Sequence, residues 1–201
     1  MRCVCKLKNQ TKRITPIFTL LTGLFFFLSA EADYEDGVNA AFSGDFETAF
    51  KEFIIAAEEG LSLAQYNLGI LYFTGQGVEQ NFDEAFKWTK AAAEQGHLNA
   101  QFNLGSLYLD GQGTSQDIPQ GIEWFSQAAK NGHSNAAYSL AKMHQEGEII
   151  SKDLVQAHAW AAQSANNEHA EGNQLKLEIE SNLSNDEISQ ALRLFAAWQI
   201  Q

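Results

Sequence analysis

The stretch from Ala64 to Gly96 recurs thirty-six positions later, and again thirty-six after that, without insertion or deletion. Ala64, Leu68, Gly69, Tyr72, Gly75, Ala85, Trp88, Ala92, Ala93 and Gly96 become Ala100, Leu104, Gly105, Tyr108, Gly111, Gly121, Trp124, Ala128, Ala129 and Gly132. A third, more diverged copy reads Ala136, Leu140, Ala141, His144, Gly147, Ala157, Trp160, Ser164, Ala165 and Glu168. A fixed period of this length means that each unit buries its apolar face against its neighbours. The chain is then a linear stack rather than a domain around one centre.

Within a unit, Ala64, Leu68, Leu71 and Tyr72 are spaced by three and four, the stripe of a helix with one buried face. This predicts a helix A over about Ser62 to Thr74, stopped by Gly75 and Gly77, which tolerate the positive φ of a helix end. Helix B starts at a polar cap: Asn81 with Glu84, Asp117 with Gln120 and Asp153 with Gln156 all have capping-box spacing. Its inward stripe is Ala85, Trp88, Ala92 and Ala93. Small Gly69 and Ala85 let the two helices approach, and the Trp fills space between units.

Residues 33–60 read as an abbreviated first unit, with a first helix over about Tyr34 to Phe42 and a tight turn at Ser43, Gly44 and Asp45. Full units follow at 61–96, 97–132 and 133–168. A cap at 169–201 ends in a helix begun by Ser184 with Glu187, whose apolar stripe is Ile188, Ala191, Leu192, Phe195 and Trp198.

Residues 1–32 follow a different pattern. Arg2, Lys6, Lys8, Lys12 and Arg13 precede an apolar run from Ile17 to Leu28, and Ala30 and Ala32 form an A-x-A site. This predicts a cleavable export signal cut after Ala32, with a periplasmic or secreted product that has no stable membrane insertion. Both cysteines, Cys3 and Cys5, leave with it, so the product has no thiol metal site or disulfide. Five of the thirteen basic residues and one of the twenty-five acidic residues also leave, so eight basic against twenty-four acidic residues give net −16. That charge disfavours nucleic acid and anionic lipid as partners.

The residues Ala64, Gln65, Tyr66, Asn67, Leu68, Gly69, Tyr72, Gly75, Gln76, Gly77, Val78, Ala85, Trp88, Ala92, Ala93 and Gly96 resemble the repeat of the Sel-one-like family, helical-hairpin relatives of the tetratricopeptide repeats. The resemblance covers about Asp33 to Gln201. In the third full unit Gly113, Gly132 and Tyr108 have become Ile149, Glu168 and His144. It implies an all-α, right-handed α-solenoid of stacked helix-turn-helix repeats with a C-terminal capping helix. It also implies a scaffold or adaptor, which secreted bacterial members mostly resemble; the chain is expected to be a monomer without cofactor or metal. An envelope regulator that restrains a membrane sensor is a special case of the same reading.

By analogy with tetratricopeptide stacking, a second stripe on helix A faces the groove. Leu63, Tyr66, Ile70 and Phe73 recur as Asn99, Phe102, Ser106 and Leu109, then as Asn135, Tyr138, Lys142 and Gln145. The stripe fades from apolar to polar toward the C-terminus. Leu63, Tyr66, Ile70, Phe73, Phe102, Leu109 and Tyr138 are therefore the candidate partner-binding residues, for a helix or an extended segment docked at the N-terminal half. Tyr66, Phe102 and Tyr138 have a second reading, packing on the preceding unit.

Two other patterns point elsewhere. Ser139 to Lys142 spells S-x-x-K, the mark of serine enzymes acting on β-lactams or cell-wall peptides, but the S-D-N and K-T-G partners are absent. Ser139 also occupies the repeat position of Asn67 and Asn103. His97, His133 and His169 form a ladder, expected to be exposed in turns about 10 Å apart, too far for one metal at about 2 Å per ligand.

Overall fold

A computed structural model describes the backbone of residues 18–200 and the side chains of residues 30–200. Among the described residues the chain is wholly helical. Its ten helices are α1 (Phe18–Ser43), α2 (Phe46–Glu58), α3 (Ser62–Thr74), α4 (Phe82–Glu94), α5 (Leu98–Asp110), α6 (Ile118–Lys130), α7 (Ser134–Glu146), α8 (Leu154–Asn166), α9 (Gly172–Glu180) and α10 (Asn185–Trp198). Successive pairs make four stacked hairpins, α1–α2 to α7–α8. α9 then docks on α8, and α10 closes the end against α8.

The repeat period becomes a column of buried leucines. Leu68, Leu104 and Leu140 are fully buried, each amid the alanines of its own and adjoining helices. Glycine sets the separation inside a hairpin. A Cβ on Gly69 would stand 2.7 Å from Thr89 Oγ1, and one on Gly105 would stand 2.4 Å from the Phe125 ring. Gly37 does the same work in the first hairpin, where a Cβ would meet the Phe53 ring at 2.6 Å. Buried glutamines tie units together. Gln65 Nε2 donates to the Ala57 carbonyl and Gln101 Nε2 to that of Ala93, while Gln95 and Asn131 donate back to the amide oxygens of Gln65 and Gln101. These bonds satisfy side chains that would otherwise be costly to bury.

Helix ends follow the expected chemistry with one amendment. Gly75, Gly111 and Gly147 end α3, α5 and α7 in the left-handed region. Asn81, Asp117 and Asp153 accept backbone N–H groups at the starts of α4, α6 and α8. The return half of a capping box forms, among the described residues, only between Ser184 and Glu187. Glu84 instead accepts from Trp88 Nε1 and pairs with Lys87.

The first helix differs from the sequence expectation. It runs from Phe18 straight through Ala32 to Ser43 rather than starting near Tyr34, and no proline lies within that span to interrupt it. Ala30 is buried in the first core cluster. At the other end, the Gly172 that replaces the repeat's alanine lets α9 approach closely: a Cβ there would stand 2.7 Å from Ala165 N. Leu175 and Ile179 are buried beneath it, and Trp198 stacks on Trp160 with ring centroids 3.9 Å apart.

A second glycine in the loops of the first two full units joins each unit to the previous one. A Cβ on Gly77 would fall 2.0 Å from Phe46 O, and one on Gly113 would fall 1.9 Å from Phe82 O. Both have positive φ, so each loop lies directly on the backbone at the start of the preceding helix B. The third full unit has Ile149 at this position. Ile149 is 46% exposed and lines a cavity beside α6 and α7.

Candidate functional site: a row of cavities along the helix A face

Three cavities lie in line along the first helices of the hairpins. The N-terminal one, an open hollow of about 460 Å³, is lined by Tyr34, Val38 and Phe42 of α1, Phe46 and Phe53 of α2, and Asn67 and Ile70 of α3. The middle one, of about 180 Å³, lies between Ile70 and Phe73 of α3 and Asn103, Ser106 and Asp110 of α5, with Gly69 and the buried Thr89 contributing to its lining. The C-terminal one, of about 580 Å³, is lined by Phe102, Leu109, Ile118, Phe125, Met143 and Ile149, with Ser106, Asp110 and Glu148. Ile70 is shared by the first two, and Ser106 and Asp110 by the last two. The cavities therefore form one interrupted groove.

The candidate residues divide between groove and packing. Ile70 and Phe73 are cavity walls, and Phe73, 38% exposed, leans edge-on against Phe82 with centroids 5.4 Å apart. Phe102 and Leu109 line the C-terminal cavity, although Leu109 also fills the space left by Gly121. Leu63 is exposed outside the cavities. Tyr66 and Tyr138 do not line a cavity either. Their rings stack on His97 and His169 at 4.3 Å, and Phe102 stacks on His133 at 4.6 Å. The aromatic position thus packs on the following unit, not the preceding one, because its partner thirty-one residues later sits at the turn into the next helix A.

This pairing also corrects the expectation of exposed histidines. His97 and His133 are half-buried caps, whose Nδ1 atoms accept the backbone N–H of Ala100 and Ala136. Burial under the aromatic rings pushes both pKa values below the ordinary imidazole range. His169 Nδ1 accepts from Glu171 N. Among the described residues no group of three or more metal-ligating side chains is assembled.

The apolar character of the groove does not end with its helix A stripe. Ile149, Ile118 and Met143 bring apolar side chains to the C-terminal cavity from a loop, the start of α6 and α7. Ile149 and Ile118 were missed because they lie outside helix A. Their signal was the loss of the repeat's glycine at 149.

Ser139 also reaches the C-terminal cavity, but Lys142 is committed elsewhere. Its ammonium lies 2.9 Å from Glu146 Oε1 and donates to Gln145. The bond to Glu146 raises its pKa, holding it charged. A lysine acting as base for a serine needs the neutral amine, so the S-x-x-K spacing here gives no activated nucleophile.

The Sel1 repeat model matches residues 62–97, 98–133 and 134–169. The chain is similar to c5321 of uropathogenic Escherichia coli, a protective antigen displaying an SLR fold. Identity is 30% over 89% of this chain and 40% of that one, with a TM-score of 0.71. It is also similar to a Sel1 repeat protein from Oxalobacter formigenes, at 28% identity over 75% of this chain and 62% of that one, with a TM-score of 0.66. The chain therefore spans less than two thirds of either relative. No curated protein matches it. Sel1 repeats are generally non-enzymatic protein-interaction scaffolds, and on three matched repeats, the helical stack and these relatives, the chain belongs to the Sel1 repeat family.

Proposed function

We propose that this protein is a non-enzymatic scaffold, exported to the bacterial envelope or beyond, that holds a helical or extended segment of a partner protein in its groove. The row of three adjoining cavities, which share wall residues, carries the reading. Such a row offers successive pockets for the side chains of one docked segment, the usual arrangement when a preformed groove reads a peptide. Ile70, on the wall between two cavities, and Phe73 beside it are the anchors.

Selection of displayed random short peptides against the 201-residue chain tests this directly. Enriched peptides are expected to lose about tenfold or more in affinity when Ile70 and Phe73 are both changed to serine, since a few apolar anchors carry most of the energy of such interfaces. Helicity and unfolding midpoint of the variant, measured alongside, separate lost contacts from lost fold. Binding that is indifferent to both positions would remove the groove from the function.

Export rests on the basic opening, the apolar run and the Ala30 and Ala32 site. The sequence after Ala32 suits a helix that begins there. Asp33, Glu35 and Asp36 place carboxylates in what becomes the first turn, where the helix dipole favours negative charge. The description of c5321 as a protective antigen fits a protein met outside the cytoplasm. Intact-mass and N-terminal sequencing of the protein from a periplasmic fraction should give Asp33 as the first residue. A mature chain that retained Met1 would rule the cut out.

A further inference from the structure

The two carboxylates of the groove have no cation within the protein. Asp110 lies between the middle and C-terminal cavities, and Glu148 lies on the lining of the latter. Both are exposed, and neither enters a hydrogen bond or ion pair among the described residues. No lysine, arginine or histidine lines any of the three cavities.

Asp110 is also placed against the helix dipole. It is the last residue of α5, where a negative side chain meets the partial negative charge of the helix end. One repeat later Glu146 ends α7 in the same way, and there Lys142 neutralises it at 2.9 Å. The residue that corresponds to Lys142 in the α5 unit is Ser106, so the protein supplies Glu146 with a cation and leaves Asp110 without one. The bare carboxylate faces the groove beside apolar walls.

On the groove reading above, we infer that the docked segment is cationic: a stretch of a partner protein with apolar side chains for the cavities and a lysine or arginine between them, received by Asp110 and Glu148. The segment's charge gives polarity to the groove. Apolar side chains enter at Ile70 and Phe73, and the basic residue lies toward the C-terminal cavity. The exported product's net charge of −16 adds long-range attraction for such a segment, which raises its rate of encounter.

The test uses the peptides enriched from the random library that depend on Ile70 and Phe73. They are expected to carry lysine or arginine beside apolar residues. Their affinity should fall about fivefold or more in the Asp110→Asn, Glu148→Gln double variant, and fall similarly when their basic residues become glutamine. The effect of the double variant should shrink as salt rises. Groove-dependent peptides that are neutral or acidic, or basic peptides indifferent to the double variant, would overturn the cationic assignment and leave the groove standing. A selection that yields no peptide dependent on Ile70 and Phe73 would overturn both.

Discussion

Changing Gly113 to alanine is expected to destabilise the protein by about 3 kcal/mol or more, with unfolding split into two steps. Two costs combine. Gly113 has φ +68°, a region that costs a residue with a Cβ about 1 kcal/mol. The new Cβ would also lie 1.9 Å from Phe82 O and 2.5 Å from Phe82 C. Backbone cannot move aside as a flexible side chain can, so the loop must lift from the start of α4. In a stack held by neighbour interfaces, a weakened joint lets the two sides unfold separately. Gly132→Ala is the control. It has φ +102° but nothing within 4 Å of its Cβ, and the equivalent Glu168 already carries a side chain at φ +63°. That variant should lose only about 1 kcal/mol. Urea unfolding of both variants decides the matter, and equal losses would show that the loop contact contributes nothing.

The second large effect is expected on acidification. In the folded protein His97 and His133 are favoured neutral by burial, and each Nδ1 must be unprotonated to accept a backbone N–H. The unfolded chain has ordinary imidazoles that gain a proton near pH 6.5. The unfolded state therefore binds more protons as pH falls, and stability present above about pH 6.5 is lost on descent toward the lower folded pKa values. His144 adds in the same direction: burial depresses its pKa, with Asp153 partly opposing. Loss of two caps removes about 2 kcal/mol at about 1 kcal/mol each. A variant with both residues changed to asparagine, which caps without titrating, should have a flatter profile of urea midpoint against pH between about 6.5 and 5. A slope equal to wild type would place the acid sensitivity elsewhere.

The stack was legible because every unit repeats its contacts at the same spacing, so Leu68, Leu104 and Leu140 declared one another. The first unit was harder. Gly37 precedes Gly69 by thirty-two residues rather than thirty-six, because the short turn at Gly44 shifts the register, and its closeness to Phe53 has no periodic counterpart to expose it. In the groove, Ile70 and Phe73 stood out as apolar side chains off the core stripe. The aromatic and histidine ladders were each visible, but their pairing was not, since it joins residues thirty-one apart at the turn between units. Two residues that share the C-terminal cavity, Ile118 and Ile149, come from different elements, and only three-dimensional placement brings them together.

Ile149 in place of the joining glycine makes the third joint chemically unlike the other two. At two of the molecule's three successive joints, Gly77 and Gly113 seat the loop so close to the preceding helix B that no Cβ fits. The third has isoleucine where the other two have the joining glycine. Of the three cavities, the one of about 580 Å³ lies at the Ile149 joint and the one of about 180 Å³ at the Gly113 joint, so the exchange that gives up a glycine also places an apolar wall in the roomier pocket.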